Sequence, residues 1–324
     1  MKKSLHSAAW GKAFERSWRA IGKAALTSSA KARIPPPGEG DWVAGAAIGA
    51  EGVRRFRLYK PPGLLHSERL PLMVMLHGCG QDARSFAMST RMNRLALRER
   101  FLVLYPEQDR LANGQGCWNW FDTSSGRAFR EAALIMKAIE QVCWFQPIDR
   151  SRIAIAGLSA GASMAALLVS RHPERFKAVV MHSGIAPGTA HSTMSALGAM
   201  HGFRATKPLA AMPEEGTEHW PPLMVIHGSA DAVVSPHNAL AAAEAWSDAV
   251  GAKATKARTV QRGQRYPMVV TDFKRKGSTV ATLVEVHGLA HAWSGGALNK
   301  PHSDAQGPDA SRMVWAFALK QFRA

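Results

Sequence analysis

Cysteine is scarce: Cys79, Cys117 and Cys143 are the only three in 324 residues. An odd number without metal-ligand spacing excludes both a disulfide-built scaffold and a cysteine metal site. No run reaches the 18 apolar residues of a membrane-spanning helix. No G-x-x-x-x-G-K-[ST] phosphate loop and no internal repeat occurs, so nothing points to a nucleotide switch or a solenoid. Acidic residues are few beside basic ones, 24 against 41, for a formal charge of +17. Since no stretch reads as a nucleic-acid module, that charge reads as solubility and surface adhesion. Neither a metal nor any other cofactor is expected.

Apolar residues, by contrast, are plentiful at 46%, ample for one enzyme-sized core. Residues 41–324 read as a single α/β catalytic domain. Residues 1–40 differ in composition. Lys2, Lys3, Lys12, Arg16, Arg19, Lys23, Lys31 and Arg33 face only Glu15 and Glu39, while Trp10, Phe14, Trp18 and Ile21 recur at helical spacing. The pattern predicts a basic amphipathic helix, ended by Ile34-Pro-Pro-Pro-Gly38. It has no clean apolar h-region, so a secretory signal is poorly supported. Two readings stand: peripheral adsorption to an anionic or apolar surface, or a helix packed on the domain.

The most informative stretch is 153–169. Ile153 to Ala156 reads as a buried strand and Ala162 to Val169 as a buried helix, with Gly157-Leu-Ser-Ala-Gly161 between them. G-x-S-x-G spacing alone recurs by chance in a chain with 28 glycines. Flanked by strand and helix, it is the signature of a nucleophile elbow, a sharp turn that lifts its serine clear of the sheet. Ser159 is the predicted nucleophile.

A serine hydroxyl needs a base to take its proton and a carboxylate to orient that base. In the hydrolase order both follow the serine. Pro222-Leu-Met-Val-Ile-His-Gly-Ser-Ala-Asp231 puts Asp231 at the tip of a strand, though an Asp in such a turn is as often a turn former or cap. Leu283-Val-Glu-Val-His-Gly-Leu-Ala-His291 leaves another strand and carries the candidate base His291 into a Gly-rich loop. His287 competes with it but, in alternation with apolar residues, is expected to pack. The oxyanion donors would be the amides of Ala160, directly after the nucleophile, and of Cys79 in His77-Gly-Cys-Gly80, which follows the apolar strand from Leu70. His77 is expected to brace that loop as a neutral imidazole. Cys79 and Cys117 both fall in loops near this site and would pair in an exported protein, whereas Cys143 reads as a buried small hydrophobe.

These segments together are specific. His77-Gly-Cys-Gly-Gln81, Leu104-Tyr-Pro-Glu-Gln108, Gln115-Gly-Cys-Trp-Asn-Trp-Phe121, Gly157-Leu-Ser-Ala-Gly161, His182-Ser-Gly184, His227-Gly-Ser-Ala-Asp231 and Gly288-Leu-Ala-His-Ala-Trp-Ser-Gly-Gly296 resemble the poly(3-hydroxybutyrate) depolymerase family of esterases, which includes feruloyl and acetylxylan esterases. The resemblance runs over roughly residues 53–322, in family order. It implies an α/β-hydrolase fold, a mostly parallel central sheet flanked by helices, that cleaves carboxylic esters. It assigns Ser159, Asp231, His291 and Cys79 the same roles, and it implies an extracellular enzyme acting on a poly- or oligo-(3-hydroxyalkanoate). Feruloyl or acetylxylan-type carbohydrate esters are the alternative substrates. A hydrolase-fold binding protein without catalysis is the alternative class, disfavoured because all four functional elements are intact. Secreted depolymerases of this family usually carry a further substrate-binding domain, and the chain stops at Ala324, which makes a solid polyester surface a less secure partner than a soluble ester.

Trp118, Trp120 and Trp293 are candidates for a substrate-facing wall, with Leu158 as a further contact beside the nucleophile; for Trp120 ordinary core is an equal reading. Further strands are expected at 54–60, 101–105, 178–182, 266–274 and 279–286, and helices at 132–144 and 309–322. Residues 185–221, without clear periodicity, read as an irregular insertion that could cover the site.

Overall fold

A computed structural model of the chain describes residues 34–65, 67–204 and 220–323. Most of the expected basic segment, 1–33, and the middle of the expected lid, 205–219, therefore lie outside the described residues.

Among the described residues, eleven strands build one sheet in the order β1-β2-β4-β3-β5-β6-β7-β11-β10-β8, with β9 pairing β10 as well. Its centre is parallel: β4 (Leu102–Pro106), β3 (Leu70–Leu76), β5 (Ile148–Leu158), β6 (Ala178–His182), β7 (Leu223–Gly228) and β11 (Ser278–Val286). One margin is the hairpin β1 (Asp41–Gly49) and β2 (Gly52–Lys60), with β2 antiparallel to β4. The other is β10 (Met268–Arg275), antiparallel to β11 and paired with β8 (Lys253–Ala254) and β9 (Arg258–Val260). The inner parts of the central strands, such as Leu72–Leu76, Ile153–Ala156 and Leu223–Ile226, are apolar runs because helices cover both faces.

The period-2 alternation divides the core in two. Leu72, Val74 and Leu76 of β3 and Ile153 and Ile155 of β5 face one cluster. There they meet α3 (Arg127–Phe145), α4 (Ala160–Arg171) and α6 (His237–Asp248). Met73, Met75, Ala154, Ala156 and Leu158 face the other, with α1 (Ala83–Thr90), α2 (Met92–Glu99) and α7 (Ala310–Phe322).

The expected elements fall close to where periodicity put them, and the fold adds helices and strands that no pattern announced. The pair α1–α2 interrupts a stretch with no helix expected; its first turn is closed by a capping box in which Asp82 accepts from the Ser85 amide at 2.7 Å. The strand β1 precedes the first expected strand, 54–60, and pairs with it as a hairpin. The insertion after β6 contains α5 (Thr193–Met200), again started by a capping box, between Ser192 and Ser195. Both boxes use Ser where Glu or Gln is the usual third residue, which hides them from a sequence pattern. A two-stranded sheet, β12 (Trp293–Ser294) with β13 (Ser303–Asp304), completes the fold. No helix among the described residues is long and apolar enough to cross a membrane.

Candidate active site

The elbow is built by steric exclusion. Ser159 has φ 56° and ψ −123° between β5 and α4, a conformation a non-glycine residue adopts only when its surroundings enforce it. A Cβ on Gly157 would strike the backbone of Gly161 and Ala162, and one on Gly161 would strike the carbonyls of Leu76 and His77. The two glycines thus let α4 press against the end of β3. The Ser159 amide donates to the His182 carbonyl at 2.8 Å, tying the turn to β6. Ser159 thus precedes the first turn of α4, where helix amides and dipole favour a developing negative charge.

The loop after β3 faces the same turn. The Gly78 amide donates to Gln81 Oε1 (2.9 Å) and the Gly80 amide to the Gln115 carbonyl (2.9 Å). The Cys79 amide lies between these two anchored amides. Cys79 is disulfide-bonded to Cys117, and that bridge joins this loop to the segment carrying Trp118 and Trp120. His77 is buried, and burial pushes its pKa down to about 4. Its Nε2 accepts from the Gln108 amide at 3.1 Å and its Nδ1 lies 2.8 Å from the Gly78 carbonyl, so the ring braces the loop as expected.

Behind it lies a buried polar network for which the sequence offers no signal. Arg54 Nη1 donates to Gln108 Oε1 (2.6 Å), and Gln108 Nε2 donates to Glu131 Oε1 (2.8 Å). Glu131 also accepts from the amide and side chain of Asn119 (3.0 and 2.6 Å). Burial lowers the Arg54 pKa, opposed by Glu131 and Asp109.

On the far side, the loops after β7 and β11 are laced together. The amides of Ser229 and Ala230 donate to the carbonyls of Val286 and Leu289 (2.9 and 3.0 Å), and the Gly288 amide donates to Ser229 Oγ (3.0 Å). This brings Asp231 and His291 into contact: His291 Nδ1 lies 2.7 Å from Asp231 Oδ2. Asp231 Oδ1 accepts from the amides of Val233 and Val234, both at 2.9 Å. The Asp231 side chain is fully buried. Desolvation alone would raise its pKa, but donation from His227 and His291 outweighs it and holds the carboxyl well below the usual range. The charged form is thus secured at any neutral pH.

The segment after His291 is anchored by His182 at the end of β6. Its Nε2 accepts from the Ser294 amide (3.1 Å), and its ring stacks on Trp293 at 5.0 Å. Burial foremost, and the neighbouring histidines next, push its pKa down to about 3.

Two expectations need correction. His287 does not pack: it is exposed at the exit of β11, because the buried face of that strand ends at Val286 and the chain turns at Gly288. The aromatic wall is also not an open surface. Trp118 and Trp293 are fully buried, and Trp120 and Leu158 nearly so at 8% and 1% exposure. Trp118 donates to the His77 carbonyl (2.9 Å) with the Arg54 guanidinium over its ring, and Trp293 donates to Ser311 Oγ (3.1 Å). The indole N–H groups needed buried acceptors and found them beneath the loops that the rings support. No group of three or more His, Cys, Asp or Glu among the described residues is arranged to hold a metal ion.

Comparison with known proteins gives this arrangement a family. The family described as Esterase PHB depolymerase matches residues 54–263, more than half of the chain. The chain belongs to that esterase family. It is a carboxylic ester hydrolase with the α/β-hydrolase fold. It is 31% identical over 175 residues to poly(3-hydroxyalkanoate) depolymerase C of Paucimonas lemoignei, a match covering 52% of this chain and 42% of that protein. It therefore spans less than half of the depolymerase's length. Feruloyl esterase B of Neurospora crassa is 27% identical over 212 residues, covering 61% of this chain and 72% of the relative. Among solved structures, the acetyl xylan esterase from Aspergillus awamori superposes with a TM-score of 0.63 over 78% of this chain and 94% of its own, at 19% identity; at that identity the likeness is one of fold.

Proposed function

We propose that the esterase works through Ser159, His291 and Asp231 by way of an acyl-enzyme. The observation that carries this reading is the 2.7 Å contact of His291 Nδ1 with a buried Asp231, at the carboxyl edge of the sheet from which the strained Ser159 also emerges. Contact with the carboxylate leaves Nδ1 as the donor, so Nε2 is the free base. Nε2 takes the proton of Ser159 as its Oγ attacks the ester carbonyl. The tetrahedral oxyanion is met by the amides of Cys79 and Ala160, each such donor supporting about 10²- to 10³-fold in rate. Collapse expels the alcohol, protonated by His291, and water repeats the sequence to free the acid. Asp231 stays ionised throughout and stabilises the imidazolium.

For the substrate we favour a 3-hydroxyalkanoate ester, polymeric or oligomeric, on the strength of the depolymerase relative and its 31% identity. Carbohydrate esters of the feruloyl or acetylxylan type are the second reading, supported by coverage of 72% of feruloyl esterase B against 42% of the depolymerase. Residues 1–40 would serve peripheral surface adsorption in either case, the other reading being a helix packed on the domain. The test is hydrolysis of a panel of 4-nitrophenyl esters and feruloyl and acetyl sugars beside polyhydroxybutyrate film and its soluble oligomers, with Ser159→Ala as control. Preference for 3-hydroxyacyl oligomers with an inactive, folded Ser159→Ala supports the reading. Turnover confined to sugar esters moves the substrate to the second class.

A further inference from the structure

Asp231 receives one hydrogen bond more than the proposed mechanism uses. The fourth donor is His227, on β7 four residues before the aspartate. Its buried ring places Nε2 at 3.0 Å from the Val234 carbonyl and 3.3 Å from Asp231 Oδ2. Both neighbours are acceptors, so Nε2 carries its hydrogen and shares it between them. The other nitrogen, Nδ1, is buried with no hydrogen-bond partner. An unsatisfied buried nitrogen is a cost that an apolar residue of similar shape would not carry, so packing is a poor account of a histidine here. The benefit lies at Nε2.

We infer that His227 is a positioning residue for ester hydrolysis: its Nε2–H occupies the same oxygen of Asp231 that His291 uses, and so fixes both the direction and the available charge of that carboxylate. The inference rests on the reading of Asp231 and His291 as acid and base. With Oδ1 held by two backbone amides and Oδ2 by two imidazoles, the carboxylate plane cannot rotate away from His291. Part of the negative charge on Oδ2 is drawn towards His227, so the carboxylate stabilises the His291 imidazolium less than it would alone. The imidazolium then passes its proton to the leaving alcohol more readily.

The titratable groups around this pair are Asp231, His182 from β6, His291 itself and His302 beside β13. His182 lies at about 3, and His302 is lowered chiefly by burial and then by His291. His182 gains no proton near neutrality, and the variants leave His302 untouched, so a shift of the rate profile between them belongs to the Asp231–His291 pair.

The experiment compares His227→Gln, whose amide nitrogen can reach the place of Nε2, with His227→Leu, which keeps the volume and removes the donor. Initial rates on a 4-nitrophenyl ester are followed from pH 5 to 9 in the full chain, with thermal midpoints alongside. His227→Leu should lower kcat/KM by about 10- to 100-fold, mainly through kcat, the scale of a misaligned catalytic group. The midpoint of its acid limb should move up by at least about half a pH unit, because the carboxylate then serves His291 alone. His227→Gln should restore most of kcat and return the limb to the wild-type position. A folded His227→Leu with a lowered thermal midpoint but unchanged kcat and unchanged limb would overturn the inference, as would Gln and Leu variants with equal rates. If His227→Leu does not fold, His227→Asn, whose shorter amide cannot reach Oδ2, takes its place against Gln with the same expectations. His291→Ala is assayed in parallel: if that variant remains active, the acid–base reading has failed whatever His227 does.

Discussion

The two halves of the proposed site are held by different forces. On the nucleophile side, β3, β5 and α4 meet at glycines, and Ser159 has its backbone set by what cannot fit beside it. On the acid–base side, β7 and β11 end in loops where hydrogen bonds decide the geometry, from the Ser229–Gly288 contact to the four donors around Asp231. Steric exclusion acts within the turn at Gly157 and across to the end of β3 at Gly161, and is insensitive to pH in both places. Hydrogen bonding here combines neighbours two to four residues from Asp231 with a partner sixty residues away, and two of the four donors are histidine rings. Substitutions on the two sides should therefore fail in different ways.

The largest effect is expected on the acid–base side. His291→Ala should reduce kcat/KM by at least about 10³-fold, since the members of such a unit lose activity nearly as one. His287→Ala, at an exposed position four residues away, should leave both rate and stability close to wild type. Initial rates and a denaturant midpoint decide it, and comparable rate losses in the two would dissolve the distinction between them.

A glycine on the nucleophile side should fail sterically. Gly161→Ala places a methyl against the carbonyls of Leu76 and His77, so we expect a loss of about 1–3 kcal/mol in stability, as for overpacking elsewhere, with a fall in kcat as Ser159 shifts. That loss should be the same at pH 5 and pH 8. A pH-dependent loss would show that the elbow is not held by packing.

The wild-type protein should show the opposite behaviour through its histidines. His77 and His182 have pKa values of about 4 and about 3 in the fold, below the ordinary value of about 6.5. Between these limits the unfolded chain binds protons that the folded chain does not. Stability is therefore fully present above about pH 6.5 and lost as pH falls towards 4. Asp231, lowered in the fold, adds a further loss only below the ordinary aspartate range of about 4. Thermal midpoints taken from pH 7.5 to 4.5 should fall, and His182→Gln, which keeps an acceptor for the Ser294 amide, should flatten the slope.

How much of this was legible beforehand follows the same division. The elbow could be read because its steric demand fixes glycines two residues to either side of Ser159. Asp231 and His291 could be placed at strand exits by their order in the chain, since apolar runs mark where β7 and β11 end. Their contact, the share His227 takes in it, and the network from Arg54 through Gln108 to Glu131 and Asn119 could not. Each joins residues whose side chains say only that they can hydrogen-bond, and partner choice is settled by the folded sheet. Trp118 and Trp293 were misread for a related reason: a large ring with one polar atom suits a substrate wall or a buried brace, and only the presence of acceptors at His77 and Ser311 distinguishes them.

The smallest effect concerns the basic segment at the N-terminus. No proposed catalytic residue precedes Cys79, so deleting residues 1–33 should leave kcat/KM on a small soluble ester within about threefold, because a small substrate uses no remote binding energy. Adsorption to anionic vesicles or polyester particles at low salt should weaken in the same truncation. Loss of activity in a folded truncation would place part of the site in that segment.

The most direct test of the central claim is covalent. A fluorophosphonate probe reacts with a serine only where a base and oxyanion donors activate it. Wild-type protein should take up one equivalent, and peptide mass spectrometry should locate it on Ser159, with no uptake in Ser159→Ala and at most slow uptake in His291→Ala. Full-rate labelling in His291→Ala, or labelling of any serine other than Ser159 that accounts for the esterase activity, would contradict it.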